Sequence, residues 1–355
     1  MKTKKLISSI LAVIMLLSVC SVAASAQDLT LADGADALKA AFLPGKGPEA
    51  GGYSIDYRYY SPVKENDETK YPLVIWLHGM GDGANEGKQI EKSNISNWAS
   101  AEYQSRFAET QGAFIMAPRS IEEKLIFWDD SMIYPLRAAI DDFINQNADN
   151  IDVTRIYIGG YSMGGKMTLK MSVAYPEMFA AAFPICPAWA PSAEEVALIS
   201  NIPVWITTGK SDPIVNYATS VMPTWESIVN ASNVAADCRF STLNQVRYAD
   251  GQKTESAHFA WFAVNNDMFS AENGDYPDMS TVNGLGEDVI LTYPDGMISW
   301  LSQFSSDFDG ADATDSGNIT VIKNNLFSIE TIIDFFKTIG QIIRKILGSL
   351  TSIFG

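Results

Sequence analysis

Ser162 stands between glycines in "GGYSMGGKM" (159–167), directly after the apolar run "RIYIGG" and at the head of "MGGKMTLKMSVAY". A serine becomes a nucleophile when its Oγ is exposed, a base lies within hydrogen-bond reach, and amide donors face the oxyanion formed on attack. A sharp strand-to-helix turn supplies the exposure. Gly160 and Gly164 leave out the Cβ atoms that would hold the two backbone segments apart. The helix that follows turns free N–H groups and its positive dipole end toward a developing anion. The plain alternative is a small residue in a Gly-rich loop, and the rest of the chain discriminates between the two.

The chain holds two histidines. His78 ends the apolar segment of "LVIWLHGMGDG", upstream of the serine, where the expected role is that of a turn residue beside an oxyanion loop. His258, in "ESAHFAWF", alone follows the serine and is the candidate base. The acid that orients such a base is expected between the two. "IPVWITTGKSDPIV" offers Asp212 in a loop after an apolar strand, with Asp250 in "YADG" as its rival and an ordinary Ser-Asp-Pro turn as the alternative. The order serine, aspartate, histidine differs from the orders found in chymotrypsin-like and subtilisin-like proteases. The amide of Met163, next to the serine, and that of Met80, in the "HGMGD" loop, are the candidate oxyanion donors. Trp128, Trp189 and Trp261, the last beside Phe259 and Phe262, gather near these positions and are candidates for an aromatic-lined substrate cleft. Core packing is the commoner fate of tryptophan. No cluster of Cys and His at zinc spacing exists along the chain, and the chemistry calls for no cofactor or metal.

These residues need a frame that brings loops from distant parts of the chain to one edge. Unbroken apolar runs at 73–77, 113–117, 156–160, 180–185 and 203–208 are short and bounded by turn residues, as parallel strands buried on both faces would be. Between them, 133–147 places Leu136, Ala139, Ile140, Phe143 and Ile144 on one helical stripe, and 163–174 places Met163, Met167, Met171 and Ala174 on another. The alternation predicts an α/β domain with a doubly wound, mostly parallel sheet and helices on both faces. Residues 53–60 alternate more strongly and predict an antiparallel edge strand. No internal repeat is present.

The ends read differently. Lys2, Lys4 and Lys5, an apolar run to about residue 23 and Ala24-Ser25-Ala26 have the form of a secretory signal peptide over 1–26. Cys20 is preceded by Val19 where a lipoprotein signal wants a small residue. Removing 1–26 takes the formal net charge from −17 to −20, because three lysines and no acids leave. Such acidity argues against nucleic acid or anionic lipid as a partner of the body of the protein and suits a secreted protein acting on neutral substrates. Cys186 and Cys238 remain, either paired or as buried free thiols. The catalytic domain is expected over 27–304 and a polar linker over 305–325. An amphipathic helix is expected over 326–355, for docking, self-association, or contact with a membrane or cell surface.

With these residues assembled, the chain resembles secreted esterases of the α/β-hydrolase superfamily, within the polyhydroxybutyrate-depolymerase-like and feruloyl-esterase-like (predicted-peptidase-like) group. The matching stretches are "YPLVIWLHGMGDG", "IYIGGYSMGGKMTLKMSVAYPEMFAAAFPIC" and "IPVWITTGKSDPIV", from about 71 to 215. The resemblance implies an α/β-hydrolase fold. It also implies a Ser162–His258–Asp212 triad with the Met80 and Met163 amides as oxyanion hole, and hydrolysis of a carboxylic ester, either plant-wall (feruloyl or acetyl) or aliphatic polyester. A peptidase of the same fold and a non-catalytic surface-binding protein are the alternatives. Family members often carry a Gly-His turn where this chain has "ESAHFAWF", and residues 326–355 fall outside the resemblance.

Overall fold

The apolar runs become strands whose side chains are buried on both faces: all seven residues of Tyr71–Leu77 and all five of Phe114–Pro118, Ala181–Ile185 and Trp205–Gly209 are buried. The computed structural model describes residues 28–310 apart from 92, 123–126, 249, 268–269, 272–273, 276–277 and 293–294. The expected signal peptide, most of the linker and the C-terminal helix over 326–355 lie outside the described residues.

In chain order the main strands are β1 (Leu43–Lys46), β2 (Asp56–Tyr60), β3 (Tyr71–Leu77), β4 (Phe114–Pro118), β5 (Ile151–Tyr161), β6 (Ala181–Ile185), β7 (Trp205–Gly209), β8 (Arg239–Leu243) and β9 (Met279–Asn283). Among the described residues they form one nine-stranded sheet in the order β1-β2-β4-β3-β5-β6-β7-β8-β9. The pairs from β4 to β8 are parallel, while β1 and β2 at one side and β9 at the other are antiparallel. The swap of β3 and β4 and the run β5-β6-β7 put the carboxyl ends of β3, β5 and β7 on one edge of the sheet, where crevices form in open α/β folds.

The principal helices are α1 (Ile133–Gln146), α2 (Met163–Ala174), α3 (Met222–Ala231) and α4 (Met297–Leu301). The apolar stripe of α1 is buried as its spacing predicts, and Phe143 packs edge-on against Tyr57 and Tyr59 of β2 at 5.6 and 5.1 Å. Two expectations are corrected. The strand within 53–60 is not at the edge, because β1, too short and polar to show periodicity, pairs outside it. Helix α2 is also not a one-sided helix: every residue from Gly164 to Ala174 is buried, Lys166 and Lys170 included, because it contacts β3, β5 and β6 as well as α1.

The chain stays on the domain a little past Phe304. The Ser306 amide donates to the Thr154 carbonyl at 2.8 Å, and the buried Phe308 ring lies 5.4 Å from the Arg137 guanidinium.

Candidate active site

Strand β5 runs straight into Ser162, which has φ +57° and ψ −115° and leads α2. A positive φ strains any residue with a Cβ, and here the surroundings hold it: the Ser162 amide donates to the Ile185 carbonyl at 2.9 Å. The neighbouring glycines are forced. A Cβ on Gly160 would stand 2.3 Å from the Leu77 carbonyl oxygen, and one on Gly164 would stand 2.0 Å from the same atom. The turn therefore packs directly onto the end of β3, which carries His78 and the "HGMGDG" loop. Ser162 Oγ makes no hydrogen bond to the described residues.

Asp212 follows β7 and is 6 % exposed. Its Oδ1 accepts the amides of Ile214 and Val215 at 2.8 and 2.9 Å, which leaves Oδ2 for His258 Nδ1 at 2.7 Å. His258 sits on the short 3-10 turn Ala257–Phe259, whose amide at 258 donates to Ser256 Oγ. That turn presses on the end of β7, where a Cβ on Gly209 would stand 2.2 Å from the Ala257 carbonyl oxygen. Burial pulls the His258 pKa down, but the Cys186 sulfur and the Asp212 carboxylate push it up by more. Asp250, the rival acid, is exposed and accepts the Gln252 amide in a local turn.

In the loop after β3 two amides that follow Met80 are committed. Gly81 and Gly83 donate to Glu122 Oε1 at 2.8 and 3.1 Å, while the Asp82 side chain accepts from the Tyr161 hydroxyl, next to the serine. The amides of Met80 and Met163 donate to no group among the described residues. His78 anchors this loop from below: its Nδ1 bonds the Gly79 carbonyl at 2.6 Å and its Nε2 accepts the Ser120 amide at 3.1 Å. Burial pushes the Glu122 pKa up, and the two amide bonds offset only part of that.

The tryptophans divide. Trp128 lines no cleft: it is 1 % exposed, donates from Nε1 to the His78 carbonyl at 2.9 Å, and packs against the His78 ring in a tilted arrangement at 5.2 Å. Trp189 and Trp261 are buried too, but each holds an indole N–H without a partner among the described residues. Trp261 lies 4.1 Å from the Tyr161 ring and edge-on to His258 at 5.8 Å, and the Trp189 ring carries Lys170 Nζ at 5.0 Å. Lys170 pairs with Asp130, and burial beside Lys170 brings the Lys166 pKa down to about 8.

Cys186 and Cys238 are both free and buried. Cys186 ends β6, between the strands that deliver Ser162 and Asp212, and its thiol donates to the His258 carbonyl at 3.5 Å. Among the described residues, donor atoms of Cys186, Asp212 and His258 lie within 4.8 Å of one another, a grouping of metal-ligand types. Sequence spacing could not show it, since the three come from three separate loops. Glu122 was equally invisible, because nothing in "SIEEK" marks a carboxylate that caps amides far upstream.

The chain is similar to known proteins over this same region. A phospholipase/carboxylesterase family model matches residues 128–250, which include Ser162 and Asp212. A poly(3-hydroxybutyrate) depolymerase of Ralstonia pickettii is 30 % identical over 146 residues, covering 37 % of this chain and 28 % of that protein. A solved structure of a thermostable esterase superposes with a TM-score of 0.54 at 27 % identity, covering 65 % of this chain and 61 % of that one. A poly(aspartic acid) hydrolase-1 from Sphingomonas sp. KT-1 aligns at 14 % identity with a TM-score of 0.39, over 54 % of this chain and 84 % of its own. The chain thus spans less than a third of the depolymerase and about three fifths of the esterase. With the parallel sheet and the serine turn between β5 and α2, these matches give the chain an α/β-hydrolase fold and make it similar, over part of its length, to phospholipase/carboxylesterase-type proteins.

Proposed function

We propose that the protein is a secreted serine hydrolase that cleaves carboxylic esters through an acyl-enzyme. The observation that carries this reading is the 2.7 Å bond from His258 Nδ1 to Asp212 Oδ2, at the sheet edge where Ser162 heads a helix. A proton held at Nδ1 by the carboxylate leaves Nε2 as the acceptor, so His258 is set up to take the Ser162 proton. Ser162 Oγ then attacks the ester carbonyl, and the oxyanion accepts from the Met80 and Met163 amides. His258 returns its proton to the departing alcohol and next activates water to release the acid. The contact from Ser162 to His258 closes when substrate docks, as catalytic hydrogen bonds in unliganded sites often do.

The substrate class is an ester on a plant-wall polymer, feruloyl or acetyl, or an aliphatic polyester. The likeness to a poly(3-hydroxybutyrate) depolymerase supports the polyester arm. Secretion is supported by the pattern of residues 1–26 and by the strongly acidic net charge.

The test is labelling with a fluorophosphonate probe followed by turnover of a panel: p-nitrophenyl acetate, methyl ferulate, acetylated xylan, 3-hydroxybutyrate oligomers and a peptide. Labelling of the folded wild type that is absent in Ser162→Ala, with ester turnover, is the expected result. No labelling would end the enzyme reading, and peptide cleavage without ester turnover would replace the esterase with a peptidase.

A further inference from the structure

Cys186 has no part in the proposed chemistry, yet it is held beside the chemistry's central pair. Its backbone has φ +36°, unusual for a residue with a Cβ, and its amide donates to the Thr207 carbonyl at 2.9 Å. The side chain thus lies beside the bonded Asp212–His258 pair, and one donor atom from each of the three residues lies within 4.8 Å of the others. We propose that Cys186, Asp212 and His258 form a binding site for a thiophilic divalent cation of the zinc and cadmium type, and that its occupancy switches the hydrolase off.

The donor set fits such an ion. Thiolate, imidazole and carboxylate bind zinc at about 2.3, 2.0 and 2.1 Å, which for a tetrahedral centre puts the donors about 3.6 Å apart. The 2.7 Å pair of Asp212 Oδ2 and His258 Nδ1, whose bonds to the ion are the shorter ones, must therefore open by about 0.7 Å, which a tilt of the His258 ring supplies, while a turn of the cysteine side chain brings its sulfur to the ion. Sulfur in the set selects soft ions over magnesium or calcium. A thiolate and a carboxylate also neutralise the charge of a dication, so the occupied buried corner is neutral. The carboxylate is already oriented, because Oδ1 is fixed by the Ile214 and Val215 amides and only Oδ2 faces the site. Three protein ligands leave a fourth position for water.

Binding releases one proton to solvent, from the Cys186 thiol, and moves the His258 ring proton from Nδ1 to Nε2, with no oxidation or reduction. It replaces the bond between Asp212 and His258 with two bonds to the ion. A neutral imidazole ligated through Nδ1 carries its proton on Nε2. It is then a donor at the atom that has to accept the Ser162 proton, and general-base catalysis stops. The inhibition rests on the proposed function above, whereas the binding does not.

The two parts are therefore tested separately. Cadmium chloride added to the Ser162→Ala protein should give a thiolate-to-cadmium absorption band in the ultraviolet. One equivalent of that band should be lost on adding Cys186→Ser or Cys186→Ala and kept on adding Cys238→Ser. Zinc chloride should inhibit ester turnover by the wild type, reversibly with EDTA, and the half-inhibiting concentration should rise at least tenfold in Cys186→Ser. An unchanged band in both Cys186 variants would overturn the site. Equal zinc inhibition in the wild type and Cys186→Ser would overturn the switch. If the wild type turned over no ester at all, the function would fall while the cadmium band still decided the site.

Discussion

At the scale of single residues, His258 is governed by what touches it. The Cys186 sulfur and the Asp212 carboxylate outweigh burial and raise its pKa above the ordinary 6.5. The base must be neutral to act, so activity is present above that raised pKa and is lost as pH falls through it. The pH profile of kcat/KM for p-nitrophenyl acetate should accordingly show an acid limb with a midpoint above 6.5, moving down in Asp212→Asn. The same variant should lose about four orders of magnitude in kcat, because the imidazole takes the wrong tautomer. Asp250→Asn should stay within about twofold of the wild type, since an exposed turn carboxylate makes no contact with the base. The opposite pattern in a simple rate assay would transfer the acid role to Asp250.

At the scale of elements, the site depends on one loop being held in two places. Gly79–Gly83 is tied to Glu122 by two amides and to the strand before the serine by the bond between Tyr161 and Asp82. Glu122 touches no substrate in this reading; it positions the Met80 amide by holding its neighbours. Removing a direct oxyanion donor costs about 10²–10³ in kcat, so loosening the loop that carries one should cost about tenfold. Glu122→Gln should lower kcat with KM nearly unchanged, while fluorophosphonate labelling of Ser162 persists more slowly. A change confined to KM would mean that Glu122 lines the substrate path instead.

At the scale of the whole molecule, the last described helix is locked to the far side of the chain by a buried charge. The Asp267 side chain, 1 % exposed, pairs with Arg106 and accepts the Met297 amide at the start of α4, while Trp300 of α4 meets Trp205 of β7 edge-on at 5.4 Å. Removing one partner of a buried pair strands the other. Asp267→Asn should therefore destabilise the fold by about 3 kcal/mol, read as a lower midpoint in urea. The segment 326–355 lies outside the described residues. Its deletion should leave turnover of small soluble esters unchanged, and a large loss in that assay would make it part of the domain.

Much of this protein is legible in its residues alone. The strands β3 to β7 follow from apolar runs too short for helices, and the serine turn follows from glycines at positions that leave no room for a Cβ. The candidate base follows from scarcity, since one histidine lies after the serine, and the candidate acid from its place after a strand. These are local properties or properties of order along the chain. Tertiary structure decided the rest, because it depends on atoms brought together across the sheet. β1 covers the strand that alternation had put at the edge, Trp128 turns inward to support His78, and Lys166 and Lys170 are buried on a helix packed all round. Glu122 reaches the oxyanion loop from a different strand end, and Cys186 meets Asp212 and His258 from a third. Sequence order carries no distance between such groups; only the strand order β5-β6-β7 places the cysteine between the serine and the acid.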